Sequence, residues 1–131
     1  MFVDASAIIA IIGGEDDALS LAARLGQASK TYVSPMAVYE AVAGLARKRA
    51  CPIEDADQLV DLFVEETQAQ MIPISAAIGR TAIRAFNQYG KGRHKADLNM
   101  GDCFAYACAK AYRVPLLFKG NDFVHTDIEI A

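Results

Sequence analysis

Five consecutive apolar residues, VPLLF at 114–118, constrain the fold more than any other segment. A strand that shows no polar residue to either side has both faces covered, the situation of a strand in a parallel sheet packed between helices. The remaining segments alternate accordingly. Phe2–Asp4 reads as a short first strand running into a helix that Gly13-Gly14 closes, and EDDALSLAARLGQA (15–28) reads as a second helix with acids in its first turn. Thr31–Val33 reads as a strand, and Ser34-Pro35 supplies the cap and first-turn residue of a helix through Arg49. In PIEDADQLVDLFVEETQA (52–69), Leu59, Leu62 and Phe63 recur at helical spacing with acids on the other face. Met71–Ile74 is strand-like, a helix runs from Ser75 towards Tyr89, GDCFAYACAKAYR (101–113) is helical, and DIEI (127–130) alternates as an edge strand does. This order predicts an α/β protein, with helices on both sides of a mostly parallel sheet. At 131 residues, a single domain spanning 1–131 is expected.

The chain is 53% hydrophobic and 22% charged, and its longest apolar run, Ala5–Ile12, is far short of a membrane span. Asp4 interrupts the N-terminus and no basic segment precedes the apolar run, so a signal peptide, a membrane partner and export are not expected; the expected location is the cytoplasm. Cys51, Cys103 and Cys108 form no Cys-x-x-Cys pair and read as core fillers. The net charge of −3 argues against a general polyanion binder, but the charge is unevenly spread. Arg80, Arg84, Lys91, Arg93 and Lys95 follow one another with no acid between them, whereas 50–79 contains no Lys or Arg.

Ligands of open α/β sheets bind beyond the carboxyl ends of the strands, and three acids fall there. Asp4 closes the first strand, Asp102 opens the helix at GDCFAYA, and Asp122 follows PLLF in KGNDF. Glu40 is the only charged side chain between Val33 and Ala46, which points it inward. Taken singly, Asp4 suits a helix N-cap, Asp102 a first-turn acid, Asp122 a turn, and Glu40 a partner for a buried arginine. Taken together they form a shared acidic site. Converging carboxylates repel unless protons or cations intervene, and oxygen-only ligands favour Mg²⁺ or Mn²⁺ over zinc. Metal-dependent phosphodiester hydrolysis is the chemistry such a site supports. Arg80 and Arg84, four apart on one helix face, and the KGRHK loop would contact phosphates, with single-stranded bases stacking on Phe86 or Tyr89. The cations of LARKRA (45–50) are accounted for by the dipole of their helix. Asp97 and His94 read as loop residues.

FVDASAII, the glutamate of PMAVYEAVAGL, LNMGDCFAYACAKA and PLLFKGNDFVHTDI together resemble the corresponding segments of PIN-domain ribonucleases, specifically the VapC toxins of VapBC toxin–antitoxin pairs. The resemblance covers essentially the whole chain. It implies a three-layer α/β/α fold with an acidic pocket of Asp4, Glu40, Asp102 and Asp122. It further implies that Asp4 and Asp102 are the principal Mg²⁺ ligands, that Glu40 and Asp122 complete the pocket, and that Ser6 hydrogen-bonds a ligand carboxylate. Asn121 stands where some relatives carry a second acid. The implied activity is endoribonucleolytic: RNA hydrolysed by metal-activated water, with Arg80, Arg84, Lys91 and Arg93 on the substrate side. The implied partners are a VapB-type antitoxin seated near the first two helices, with a basic side chain in the acidic pocket, and a second copy of the chain in a homodimer. Two other readings stand at this point: a PIN-like nuclease outside any toxin–antitoxin system, and a non-catalytic protein-binding module.

Overall fold

The computed structural model describes residues Met1–Ala131. Four two-residue strands form one parallel sheet: β1 (Phe2–Val3), β2 (Tyr32–Val33), β3 (Gln70–Met71) and β4 (Leu116–Leu117), in the order β3-β2-β1-β4. Six helices complete the chain: α1 (Ala5–Gly13), α2 (Ala18–Gly26), α3 (Pro35–Arg49), α4 (Ile53–Glu66), α5 (Ala76–Tyr89) and α6 (Met100–Tyr112), followed by a 3-10 turn at Phe123–His125.

Strand alternation divides the core. Phe2 and Leu116 point to the face covered by α5 and α6, where they pack with Ile78, Ala82, Cys108 and Phe123. Val3, Val33 and Leu117 point to the opposite face, against Ile8 of α1, Leu21 of α2, Leu45 of α3 and Val60 of α4. The sheet is therefore covered on both sides, as the apolar VPLLF run requires, and the arrangement is the expected three-layer one. Cys103 and Cys108 are buried and unpaired, consistent with core filling. No helix is long and apolar enough to cross a membrane.

Several expectations are corrected. The third strand occupies Gln70–Met71 rather than 71–74: Gln70 and Ile72 donate to Thr31 and Val33 O, and the ladder ends there because β2 ends at Val33, where Ser34 caps α3. DIEI is not a strand; a single parallel bridge joins Ile130 to Leu116 while Asp127 is held by Tyr106 and Lys110. The acids Glu15, Asp16 and Asp17 precede α2 instead of forming its first turn. Lys48 and Arg49 do more than complement a helix dipole, since Lys48 pairs with Glu15 (3.0 Å) and Arg49 donates to Ile12 O (2.7 Å). The basic loop is closed rather than free: Lys91 N donates to Leu98 O, Leu98 N to Tyr89 O, and Ala96 N to His94 Nδ1.

Candidate active site

Asp4 leaves β1 at the carboxyl edge of the sheet, where its own N–H donates to Leu117 O. It is the N-cap of α1, accepting from Ser6 N (3.1 Å) and Ser6 Oγ (2.5 Å), and only 5% of its surface is exposed. The Ser6 hydroxyl accepts in turn from Lys119 N (3.0 Å), which leaves its single proton for Asp4. A carboxylate buried this deeply is costly, and its pKa is raised by burial, with the Asp122 charge adding to the rise and the Ser6 donors opposing it.

Asp102 sits one turn into α6 in a reciprocal capping box: Asp102 N donates to Asn99 Oδ1 (2.9 Å), and Asn99 N donates to Asp102 Oδ2 (3.1 Å). Burial pushes its carboxyl up to about 7 against the Asn99 hydrogen bond, with Asp4 and Asp122 reinforcing the rise. Glu40, in the middle of α3, is also pushed up to about 7, by burial and then by Asp4. Its carboxylate lies on Gly101, at a point where any Cβ on that residue would overlap it. Asp122 is exposed in the turn after β4, beside the exposed Asn121. Each of the four acids thus lies within reach of the charge of at least one other, across four chain segments. The capping readings of Asp4 and Asp102 are correct as well; capping and convergence coexist.

Two of these shifts predict a pH dependence. Glu40 and Asp102 ionise near pH 4 in an unfolded chain and near 7 in the metal-free fold, so folding takes up protons between these values. Stability is then fully present below about pH 4, falls as pH rises through 7, and levels off above. Glu15 and Asp127, held below the usual carboxylate range by Lys119 and by Tyr106, act on the acid side of that window. Melting in chelator is expected to give a Tm about 5 °C lower at pH 8 than at pH 5. A flat profile would mean that the acids do not share a dry pocket.

Of the basic residues read from the sequence, Arg80, Arg84, Lys91, Arg93 and Lys95 are all exposed. The Arg93 guanidinium lies 5.3 Å from the centroid of the Phe86 ring. Tyr89 is not a stacking platform: it is buried, its hydroxyl donates to Asp127 (3.4 Å), and its ring packs edge-on to His94 at 5.2 Å. Asp97 is exposed and accepts from Gly92 N within the loop.

The donor set fits a hard divalent ion. Every candidate ligand is a carboxylate or hydroxyl oxygen, and a cation would offset both the burial of these carboxylates and the smaller repulsion between them. No three of the acids stand close enough to enclose an ion alone. Mg²⁺ ordinarily takes one or two carboxylates and keeps several waters, so two acids such as Asp4 and Asp102 would be enough to hold it.

Fold and site together define a parallel α/β protein with an acidic pocket beyond the carboxyl ends of its strands. A family model described as PIN domain matches residues 1–129. A VapC ribonuclease of Rhizobium meliloti is 42% identical over 139 residues, covering 97% of this chain and 98% of the relative. Ribonuclease VapC42 of Mycobacterium tuberculosis is 38% identical over 132 residues, covering 100% and 98%. Among solved structures, Mycobacterium tuberculosis VapC20, described as a sarcin–ricin-loop-cleaving toxin, superposes with a TM-score of 0.78 at 15% identity over 99% of this chain and 97% of that one. A toxin–antitoxin complex from Klebsiella pneumoniae superposes with a TM-score of 0.72 at 19% identity, covering 99% and 95%. The chain belongs to the PIN-domain family, among the VapC ribonucleases.

Proposed function

We propose that this protein is a Mg²⁺-dependent endoribonuclease toxin of a toxin–antitoxin pair, with Mn²⁺ an effective substitute. The observation that carries the reading is the placement of the buried Asp4 with the half-buried Glu40 and Asp102 at the carboxyl edge of the sheet, where burial first, and then the charge of Asp4 on the other two, raises their carboxyls. The names of the relatives, VapC ribonucleases at up to 42% identity over nearly the whole chain, support RNA as the substrate.

Asp4 and Asp102 would hold the ion. When bound, it supplies a Lewis acid that lowers the pKa of water and offsets charge on the reacting phosphate. Ser6 fixes the orientation of Asp4, its proton committed to that carboxylate by the Lys119 N–H on its other side. Glu40 and Asp122 complete the pocket and orient the attacking water, with Asn121 beside them as a neutral donor. Arg80, Arg84, Lys91 and Arg93 neutralise RNA phosphates and set register without reading sequence. Phe86 offers a ring for an unpaired base.

The partner is an antitoxin whose basic side chain enters the acid pocket. An apolar groove of about 630 Å³, lined in part by Val38, Tyr39, Val42, Ile53 and Met71, lies between α3 and α4 and suits a helical segment of that partner. A homodimer and a larger complex with the antitoxin complete the assembly.

The test is cleavage of an end-labelled cellular RNA pool by protein stripped of any antitoxin, with Mg²⁺, with chelator, and with Asp4→Asn as the control for contaminating nuclease. Discrete fragments are expected only from the wild type with metal. Equal cleavage in chelator or by the variant would overturn the reading.

A further inference from the structure

The segment that carries Asp122 has no helix or strand of its own. Between β4 and the 3-10 turn the chain bends through Lys119–Asp122, and Gly120 takes φ +104, a left-handed value that glycine accepts freely. Phe118 and Phe123, both buried, meet edge to face at 4.9 Å across the base of the bend. The second tether is ionic. Lys119 N donates to Ser6 Oγ at the start of α1, and the side chain runs along that helix to Glu15 Oε1 (2.8 Å) and Asp17 Oδ1 (3.3 Å) just beyond its end. The other oxygen of Glu15 holds Lys48 of α3 (3.0 Å), so the Lys119 anchor point is itself anchored.

A partly exposed ion pair contributes little to global stability. Its consequence here is local. Asp122 is exposed, in a bend with no helix or strand to hold it. The Phe118–Phe123 contact holds only the base of the bend, which leaves the Lys119 contacts as its other tether. We infer that Lys119 is a positioning residue: paired with Glu15 and Asp17, it holds the 119–122 bend in place and keeps Asp122 beside Asp4 and Asp102. The catalytic consequence rests on the nuclease reading; the structural one does not.

Lys119→Met, Glu15→Gln and Lys119→Arg, each in the full chain, test this by two measurements: amide hydrogen exchange of the metal-free protein, and RNA cleavage. For Lys119→Met and Glu15→Gln, the amides of residues 119–123 are expected to exchange about tenfold faster, with Tm within a few degrees of wild type. Their kcat is expected to fall about ten- to hundredfold at unchanged KM, as misplacing one group of a site does. Lys119→Arg should restore both properties. Wild-type exchange in Lys119→Met would overturn the inference, and so would faster exchange with undiminished kcat. If the wild type cleaves no RNA, the nuclease reading fails by itself, and the exchange rates still decide whether Lys119 holds the bend.

Discussion

Asp102→Asn is expected to lower Mg²⁺-dependent RNA cleavage on the order of a hundred- to a thousandfold, the scale of removing one charged element of transition-state stabilisation. The metal-free variant should nevertheless be at least as heat-stable as the wild type. The amide oxygen of asparagine can still accept the Asn99 N–H that closes the capping box. The substitution also removes a negative charge that burial, Asp4 and Asp122 all disfavour. Stabilisation by added Mg²⁺, about 2.7 kcal/mol at a hundred times Kd for a metal-competent site, should disappear in the variant. Differential scanning calorimetry in chelator and in Mg²⁺ separates two roles. Equal or higher Tm in chelator with no response to metal marks a ligand; a Tm loss of about 5 °C or more in chelator would mark a residue kept for its cap.

The acids were legible because each breaks a local pattern. Asp4 interrupts a strand-to-helix apolar run, and Glu40 is the lone charge on an apolar helix segment. Strand termini could be matched to one another because the apolar VPLLF run already required a parallel sheet, whose carboxyl edge gathers the strand ends. Lys119 and Glu15 were illegible for the opposite reason. Lysine beside glycine in a loop, and an acid after Gly-Gly, each look solvated, and no local periodicity reports a pairing across 104 positions. Tyr89 was misjudged because helical spacing tells which residues share a face but not what another element lays over them; Asp127, from the C-terminal segment, takes up its hydroxyl. The strand limits failed where another segment decides the pairing: β3 stops where its partner β2 gives way to α3, and Asp127 is drawn off by the side chains of Tyr106 and Lys110. Gly101 did leave a signal, since a glycine in the first turn of a helix sacrifices helix propensity for which some close approach must account.

That approach supplies the second large effect, Gly101→Ala. A methyl group on residue 101 would overlap the Glu40 carboxylate. The obstructing atoms are the end of a flexible side chain, so Glu40 can swing aside without moving the backbone of α3 or α6. The move takes the carboxyl out of a setting that burial and Asp4 make unfavourable. Alanine also favours the helix over glycine by about 0.5–1 kcal/mol. The variant is therefore expected to fold with an equal or slightly higher Tm while kcat falls about ten- to hundredfold, because one carboxylate has left the pocket without any acid having been mutated. Glu40→Gln is the companion, and its loss should be similar. Adding Glu40→Gln to Gly101→Ala should cost little more, since the glutamate is already displaced. Wild-type cleavage by Gly101→Ala would show that Glu40 takes no part in the chemistry. A steep fall in Tm would show instead that the glutamate is fixed in place and that Gly101 serves the packing of α3 against α6.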